Sequence, residues 1–448
     1  MDNPSDAFVF YGIVAQWDPA FNCLPNECGF SFSPGVLWRK VARMTTLLPK
    51  YRLSEFKSLD KASFIELFFD LVFVFCMRSL IPSVIGEEGE SVGWYTYYTF
   101  AFVYVLMLQV WFNSTMLMNR FGTGKPLDIA CLVVNMFLLL LMTHAMSVEW
   151  DNYLLFNFCW ILVNVNLIVH WLLRLRCIQD PTLQIRHLVR RVVRVLALQA
   201  FLVLFASAFA SLPGQVMCLI ALLIGPFAWY THGQESLGDA HREHLVDRCA
   251  LLVIIAFGEL IVGVGSTVGE GYTLVDSALF LLLALGMFLV YLNLVKNVID
   301  TRKLGTGLRY MSASAWMVFL VANVTVGFEM MNEGSLIEGI PGEFVFSFCV
   351  SLFLLSFFLF MPFAKSRGPI RKRWVAKRAA ACLVAFAVAL LVSASAASFM
   401  LHYVGPLSAS PNMIATAFFY FAAALGLISV YLVLLIDWHA YGKLEEKD

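Results

Sequence analysis

After its first sixty or so positions the chain is built from runs of about twenty apolar residues, and these runs restrict where it can fold. A backbone entering lipid must satisfy its own hydrogen bonds, and the runs are Leu/Phe/Val/Ala-rich without the alternation of a barrel strand, so helices are required. Twelve spans are read: Ala62–Val84, Trp94–Leu117, Pro126–Met146, Tyr153–Leu173, Val192–Leu212, Pro213–Tyr230, Cys249–Val268, Leu274–Val295, Met311–Met331, Phe344–Phe363, Ala379–His402 and Met413–Ile436. Composition agrees, because 60% hydrophobic and 14% charged residues leave too little charge to wet the surface of a soluble chain of 448 residues. The expected fold is all-α, a polytopic transmembrane helical bundle in a lipid bilayer.

Charge placement tests the span count independently. Lys+Arg 31 against Asp+Glu 31 gives no net charge and removes the electrostatic case for nucleic acid as a partner. The basic residues fall on alternate loops: Arg39 to Lys61, Arg120 and Lys125, Arg174 to Arg194, Arg242 and Arg248, Lys296 to Arg309, Lys365 to Arg378, then Lys443 and Lys447. The opposite loops carry Glu87, Glu88, Glu90, Glu149, Asp151, Glu270, Glu333, Glu338 and Glu343, and Arg78 alone breaks the partition. Positively charged loops stay cytoplasmic, so both termini are expected in the cytoplasm of a cell whose plasma membrane the chain crosses many times. Residues 1–61 and 439–448 are then cytoplasmic tails around a membrane domain, 62–438. The N-terminal tail lacks the apolar core of a signal peptide, and Val36–Leu48 mixes apolar and basic positions as an interfacial helix does.

Two halves, 62–232 and 239–438, share several features. Arg120-Phe121-Gly122-Thr123-Gly124 and Arg302-Lys303-Leu304-Gly305-Thr306-Gly307 occupy the first cytoplasmic turn of each, basic loops follow the fourth span of each, and the first span of each holds acid. A duplication is expected. The ten cysteines fall in spans or on the cytoplasmic side, which does not describe a disulfide framework, and Cys23 with Cys28 lacks a second pair at zinc spacing.

A carboxylate at bilayer depth must face protein, a partner or water. Glu66 and Asp70 stack on one helix face, and Arg78 lies two turns beyond on roughly the same face. Glu259 sits mid-span after Gly258, with Gly263 and Gly265 suited to close approach by a neighbouring helix. These three acids are the candidate ion, proton or substrate-binding residues; the alternative is that they are interhelical anchors. The stretch Asp239 to Arg248 runs into the seventh span and places His244 and Arg248 on one face, a charge network rather than a zinc motif, since the His-Glu-x-x-His order is absent. His170 with Arg174 reads as a basic pair reaching toward lipid phosphate. No nucleophile elbow, Walker loop or dinucleotide fingerprint is present, so no catalytic residue, metal or cofactor is expected and an intramembrane enzyme is the weakest reading.

Phe64-Ile65-Glu66-Leu67-Phe68-Phe69-Asp70-Leu71-Val72-Phe73-Val74 resembles the E-L-F-F-D-L-V-F-V signature of the bacterial low temperature requirement A family. Asn119-Arg120-Phe121 is similar to its N-R-F, and His244-Leu245-Val246-Asp247-Arg248 through Ile254-Ile255-Ala256-Phe257-Gly258-Glu259 to its H-L-x-E-R and I-I-x-L-G-E stretches. Asp247 stands where the family usually has Glu, and Cys249-Ala250 where it has Phe-Gly. Phe288 to Asn293 corresponds to W-x-x-Y-F-D with the terminal acid replaced. The resemblance implies a polar network of Arg78, Asn119, Arg120, His244, Asp247, Arg248, Tyr291 and Asn293 around the acids, and no defined reaction. The leading expectation is a transporter or channel for a small cation, or for a proton-coupled small solute. The other is a membrane sensor or scaffold responding to lipid state or cold, its acids structural. Oligomeric state is open.

Overall fold

The structure, a computed structural model, describes residues 63–85, 91–122, 124, 126–146, 153–209, 212–232, 241–266, 274–332, 336–337 and 340–363. Both tails, the eleventh and twelfth expected spans, Cys23, Cys28, Cys382, the cluster from Lys365 to Arg378 and the acids Glu87, Glu88, Glu90, Glu149, Asp151, Glu270, Glu333 and Glu338 lie outside the described residues.

Ten α-helices fall on the first ten expected spans: α1 (Phe64–Arg78), α2 (Trp94–Phe121), α3 (Pro126–Ala145), α4 (Tyr153–Cys177), α5 (Leu183–Ala206), α6 (Leu212–His232), α7 (Arg242–Ser266), α8 (Leu274–Asn293), α9 (Leu308–Asn332) and α10 (Gly342–Ser356). By length and composition five are long and apolar enough to cross a membrane, namely α2, α3, α4, α6 and α9. The protein is a multi-pass membrane protein of all-α class.

Several ends differ from the hydropathy reading, each for a local reason. α1 stops at Arg78, and the chain continues as a 3-10 turn, Ile81–Val84, with Pro82 in its first positions. α5 begins at Leu183 rather than Val192, because Leu188 and Val189 are buried while Arg186 and Arg190 stay exposed, and an amphipathic turn extends the helix. α7 begins at Arg242 rather than Cys249, so Arg242 to Arg248 of the charged stretch are helical and enter the bundle. α10 ends early in a 3-10 segment, Phe357–Phe363, that contains Pro362.

α1 shows how the helices divide lipid from protein. Phe64, Phe68, Leu71 and Phe75 form an exposed stripe at helical spacing, and Glu66, Phe69, Asp70, Phe73 and Met77 are buried on the other face. Lipid is as apolar as these side chains, so burying them in protein gains little, and close packing with polar pairing must select the partner. α1 packs on α3 and α7, α7 on α8 and α9, and α9 on α10. α3 packs on α4, α4 on α5, and α5 on α6. α2 is buried along most of its length and also touches α1, α4, α6 and α9. At the acidic-loop end a small sheet joins distant loops: Ser91–Val92 pairs parallel with Leu336–Ile337, which pairs antiparallel with Ile340–Pro341.

Candidate functional site

The acidic face of α1 meets the charged first turns of α7. Arg248 donates from Nη1 to Glu66 Oε1 at 2.7 Å and from Nη2 to Asp70 Oδ1 at 2.6 Å. One guanidinium therefore spans two carboxylates one helical turn apart, a fork geometry that suits Arg. Trp111 of α2 donates its indole N–H to the same Asp70 oxygen at 2.8 Å, and Ser63 donates from both N and Oγ to Glu66 Oε2 at 2.8 Å. Glu66, Asp70 and Arg248 are all 1% exposed or less. Asp70 Oδ2 has no hydrogen-bond partner among the described residues.

His244 completes this layer, and its protonation follows from its neighbours. Asn119 at the end of α2 donates from Nδ2 to the His241 carbonyl at 2.9 Å and accepts the His241 N–H at Oδ1, 3.1 Å away, which fixes which way its amide points. The same Nδ2 lies 3.1 Å from His244 Nδ1, so Nδ1 accepts and the ring proton sits on Nε2, which donates to Glu66 Oε2 at 3.3 Å. A neutral His244 leaves two carboxylates to one cation.

A second layer lies at the other end of the same helix pair. Arg78 of α1 is 3.8 Å from Glu259 of α7 and 2.6 Å from Glu329 of α9. Here too one guanidinium serves two carboxylates, but the side chains are 25%, 25% and 15% exposed. The partners in the first layer are 178 to 182 residues apart in sequence, and Arg78 with Glu259 falls in that range, so α1 and α7 run in the same direction without slipping. About 12 Å of α1 separates Asp70 from Arg78. The first and seventh spans thus pack through their acidic faces, but Glu66 and Asp70 are not brought together with Glu259. Each acid set instead finds the other helix's arginine.

A family profile, that of the bacterial low temperature requirement A protein, matches residues 61–410, which takes in both layers. The chain belongs to the bacterial low temperature requirement A family. No curated protein and no solved structure matches it.

The remaining residues implied by the family signature scatter in this low temperature requirement A protein. Arg120 donates to the Thr306 carbonyl at 2.9 Å, so the arginine of the first Arg and Gly-Thr-Gly turn reaches the second such turn. In these turns Gly124, Gly305 and Gly307 hold φ of 63°, 52° and 76°, a region that disfavours side chains. Asp247 is exposed, pointing away from the Glu66 layer. Tyr291 is buried at 1% exposure and its hydroxyl has no hydrogen-bond partner among the described residues, whereas Asn293 is half-buried. Among the described residues nothing lies within 4 Å of where a Cβ on Gly258 or Gly265 would be, whereas Gly263 borders a layer, with Arg78 and Glu329 3.4 Å from its Cβ position.

His170 and Arg174 do not reach for lipid. Both bind Asp128, Arg174 from Nε at 2.6 Å and from Nη2, His170 from Nε2 at 2.9 Å, with all three side chains buried. Asp128 Oδ2 also accepts the Gly124 N–H at 3.1 Å, tying the turn to α3. Sequence reasoning missed Asp128, Trp111 and Ser63 and gave Glu329 no specific role. The Ser63-x-x-Glu66 spacing before an apolar run is a readable helix-start signal. Trp111 counts as apolar in any hydropathy sum, which hides its N–H donor. Among the described residues no set of His, Cys, Asp and Glu is placed to hold a metal ion.

Proposed function

We propose that the protein is a transporter or channel for a small cation, or a carrier that couples a small solute to protons, and that the two charged layers are its ion or proton positions. One observation carries the reading: at both levels two carboxylates share one arginine, Glu66 and Asp70 with Arg248, then Glu259 and Glu329 with Arg78. Each layer so counted, the first with a neutral His244, holds two carboxylates against one guanidinium, and a proton or small cation supplies the missing charge. Asp70 Oδ2 is the atom that would receive it in the first layer, and Glu259 offers the more accessible carboxylate in the second. The low-dielectric surroundings make an uncompensated charge costly, so occupancy and charge balance are tied. Positive-inside loop charge supports cytoplasmic termini in the plasma membrane, with the Glu66 layer toward the cytoplasm. The near-constant separation of paired residues supports two halves, 62–232 and 239–438, related by a two-fold axis between α1 and α7.

The test is flux through the full chain reconstituted in vesicles, across a panel of ions with and without a pH gradient. Asp70→Asn, Glu259→Gln and Glu329→Gln proteins that keep the parent's melting temperature should lose flux or its dependence on the gradient. Parent-like flux in all three would reject the reading.

A second reading has its own observation. The Glu66 carboxylate accepts from Arg248, His244 and Ser63, a set that is nearly complete without any ion, and this favours a membrane scaffold or sensor in which the acids hold α1 to α7. Under it, Glu66→Gln and Asp70→Asn lower thermal stability in detergent and no flux accompanies the parent protein.

A further inference from the structure

The outer face of α5 carries a row of charge. Arg186, Arg190 and Arg194 recur every fourth residue, so they stack on one helix face, and all three are exposed. The opposite face, with Leu188, Val192, Leu196 and Val203, is buried where α5 packs on α4 and α6, which turns the arginine row away from the bundle. Among the described residues the row meets backbone carbonyls and no carboxylate: Arg186 donates from Nε to the Pro181 carbonyl at 3.2 Å, and Arg194 from Nε to the Arg190 carbonyl at 3.3 Å. The first turn of α5 holds no acid. Like charges one turn apart repel, and at Arg186 the positive end of the helix dipole adds to them. Further along α5 the same face turns apolar, through Leu198, Phe201 and Phe205, which are 46%, 62% and 50% exposed. From Arg194 to Phe205 the helix rises about 16 Å, about the hydrocarbon depth of one leaflet.

We propose that this face seats an anionic phospholipid, its phosphate held by the arginine row and an acyl chain lying along Leu198, Phe201 and Phe205. A guanidinium binds phosphate through parallel N–H donors, and two arginines one turn apart can grip the same phosphate. Net charge decides the class of lipid. A zwitterionic headgroup brings its own cation to a row that is already cationic, whereas phosphatidylglycerol leaves its phosphate charge uncompensated. Depth agrees with charge, because a lipid phosphate sits just outside the hydrocarbon and the arginine row ends where the apolar stripe begins. The positive-inside bias puts this end of α5 at the cytoplasmic surface. His170 and Arg174, the pair expected from sequence to reach lipid phosphate, are turned inward onto Asp128, and the α5 row takes that contact instead. The seat uses no residue of either charged layer and does not rest on the transport reading.

The experiment is thermal unfolding and native mass spectrometry of the full chain in detergent. It is titrated with phosphatidylglycerol, with phosphatidylcholine of the same chains, and with glycerophosphoglycerol, the headgroup without chains. The parent should keep phosphatidylglycerol as a bound adduct and be stabilised by it at concentrations at least about tenfold below those at which phosphatidylcholine acts, the worth of one charge-assisted hydrogen bond. Glycerophosphoglycerol should have no effect in that range. Arg186→Gln, Arg190→Gln and Arg194→Gln combined should abolish the preference for phosphatidylglycerol and keep the parent's melting temperature in phosphatidylcholine, since all three side chains are exposed. The same loss of charge at the exposed Lys296, Arg302 and Arg309, each changed to Gln, should leave the preference within about twofold of the parent. Equal action of the two lipids on the parent, a comparison that needs no variant, overturns the proposal. Equal loss in the two triple variants also overturns it, by assigning the effect to diffuse surface potential. Headgroup acting as strongly as lipid would give the row to a soluble phosphate anion. A dimer that dissociates in the arginine variant would give the face to a second copy, and either result rejects the lipid seat.

Discussion

The Glu66–Asp70–Arg248 layer and the Arg78–Glu259–Glu329 layer hold the same charges on overlapping helices, yet they differ in what surrounds them. The first is sealed, with distances of 2.6 and 2.7 Å and support from Trp111, His244 and Ser63. The second is up to a quarter exposed, with one close and one 3.8 Å contact. Burial raises both the attraction within an ion pair and the penalty for losing one partner, while water weakens both. The sealed layer therefore holds the helices together strongly, and the open layer contributes less to the fold.

The largest effect is expected at Arg248. Arg248→Met strands two buried carboxylates and should cost about 3–5 kcal/mol in denaturant or detergent unfolding, a loss far above that of any change in the open layer. Arg248→Lys should recover little, because one ammonium cannot span Glu66 and Asp70 as the fork does. Adding Glu66→Gln and Asp70→Asn to Arg248→Met should restore part of the stability by removing the stranded charges, and failure of that rescue would break the distinction between the layers. Next comes Asn119→Leu, which removes both side-chain hydrogen bonds to the His241 backbone at the start of α7 and should cost about 1–3 kcal/mol in the same assay. Arg78→Met should cost less, under about 1 kcal/mol, since its partners are only partly buried and one contact is long; a loss matching Arg248→Met would show the open layer to be equally structural. The smallest stability change, within about 0.5 kcal/mol, is expected for Glu259→Gln, and its effect should appear instead in the ion or pH dependence of vesicle flux.

The sequence by itself determined the solvent, the element type and the order of the helices. Twenty-residue apolar runs admit only helices in lipid, and the first ten runs coincide with α1 to α10. It also marked the residues of the layers: an acid cannot enter a span without a reason, so Glu66, Asp70 and Glu259 announce themselves, and the N-cap serine before Glu66 could have been read beside them. Partner choice was beyond its reach. Asp70 and Arg78 look alike as neighbours on one helix face, and nothing in their spacing says that Asp70 belongs to Arg248 and Arg78 to Glu259 and Glu329. His170 and Arg174 read equally well as lipid-facing until α3 brings Asp128 against them. Hydropathy depends on composition along the chain, but pairing between helices depends on which faces meet and at what depth, and in a bilayer no gradient of hydrophobicity between lipid and core selects those faces. Only the tertiary structure decided that the acids of α1 and α7 lie in two layers rather than one.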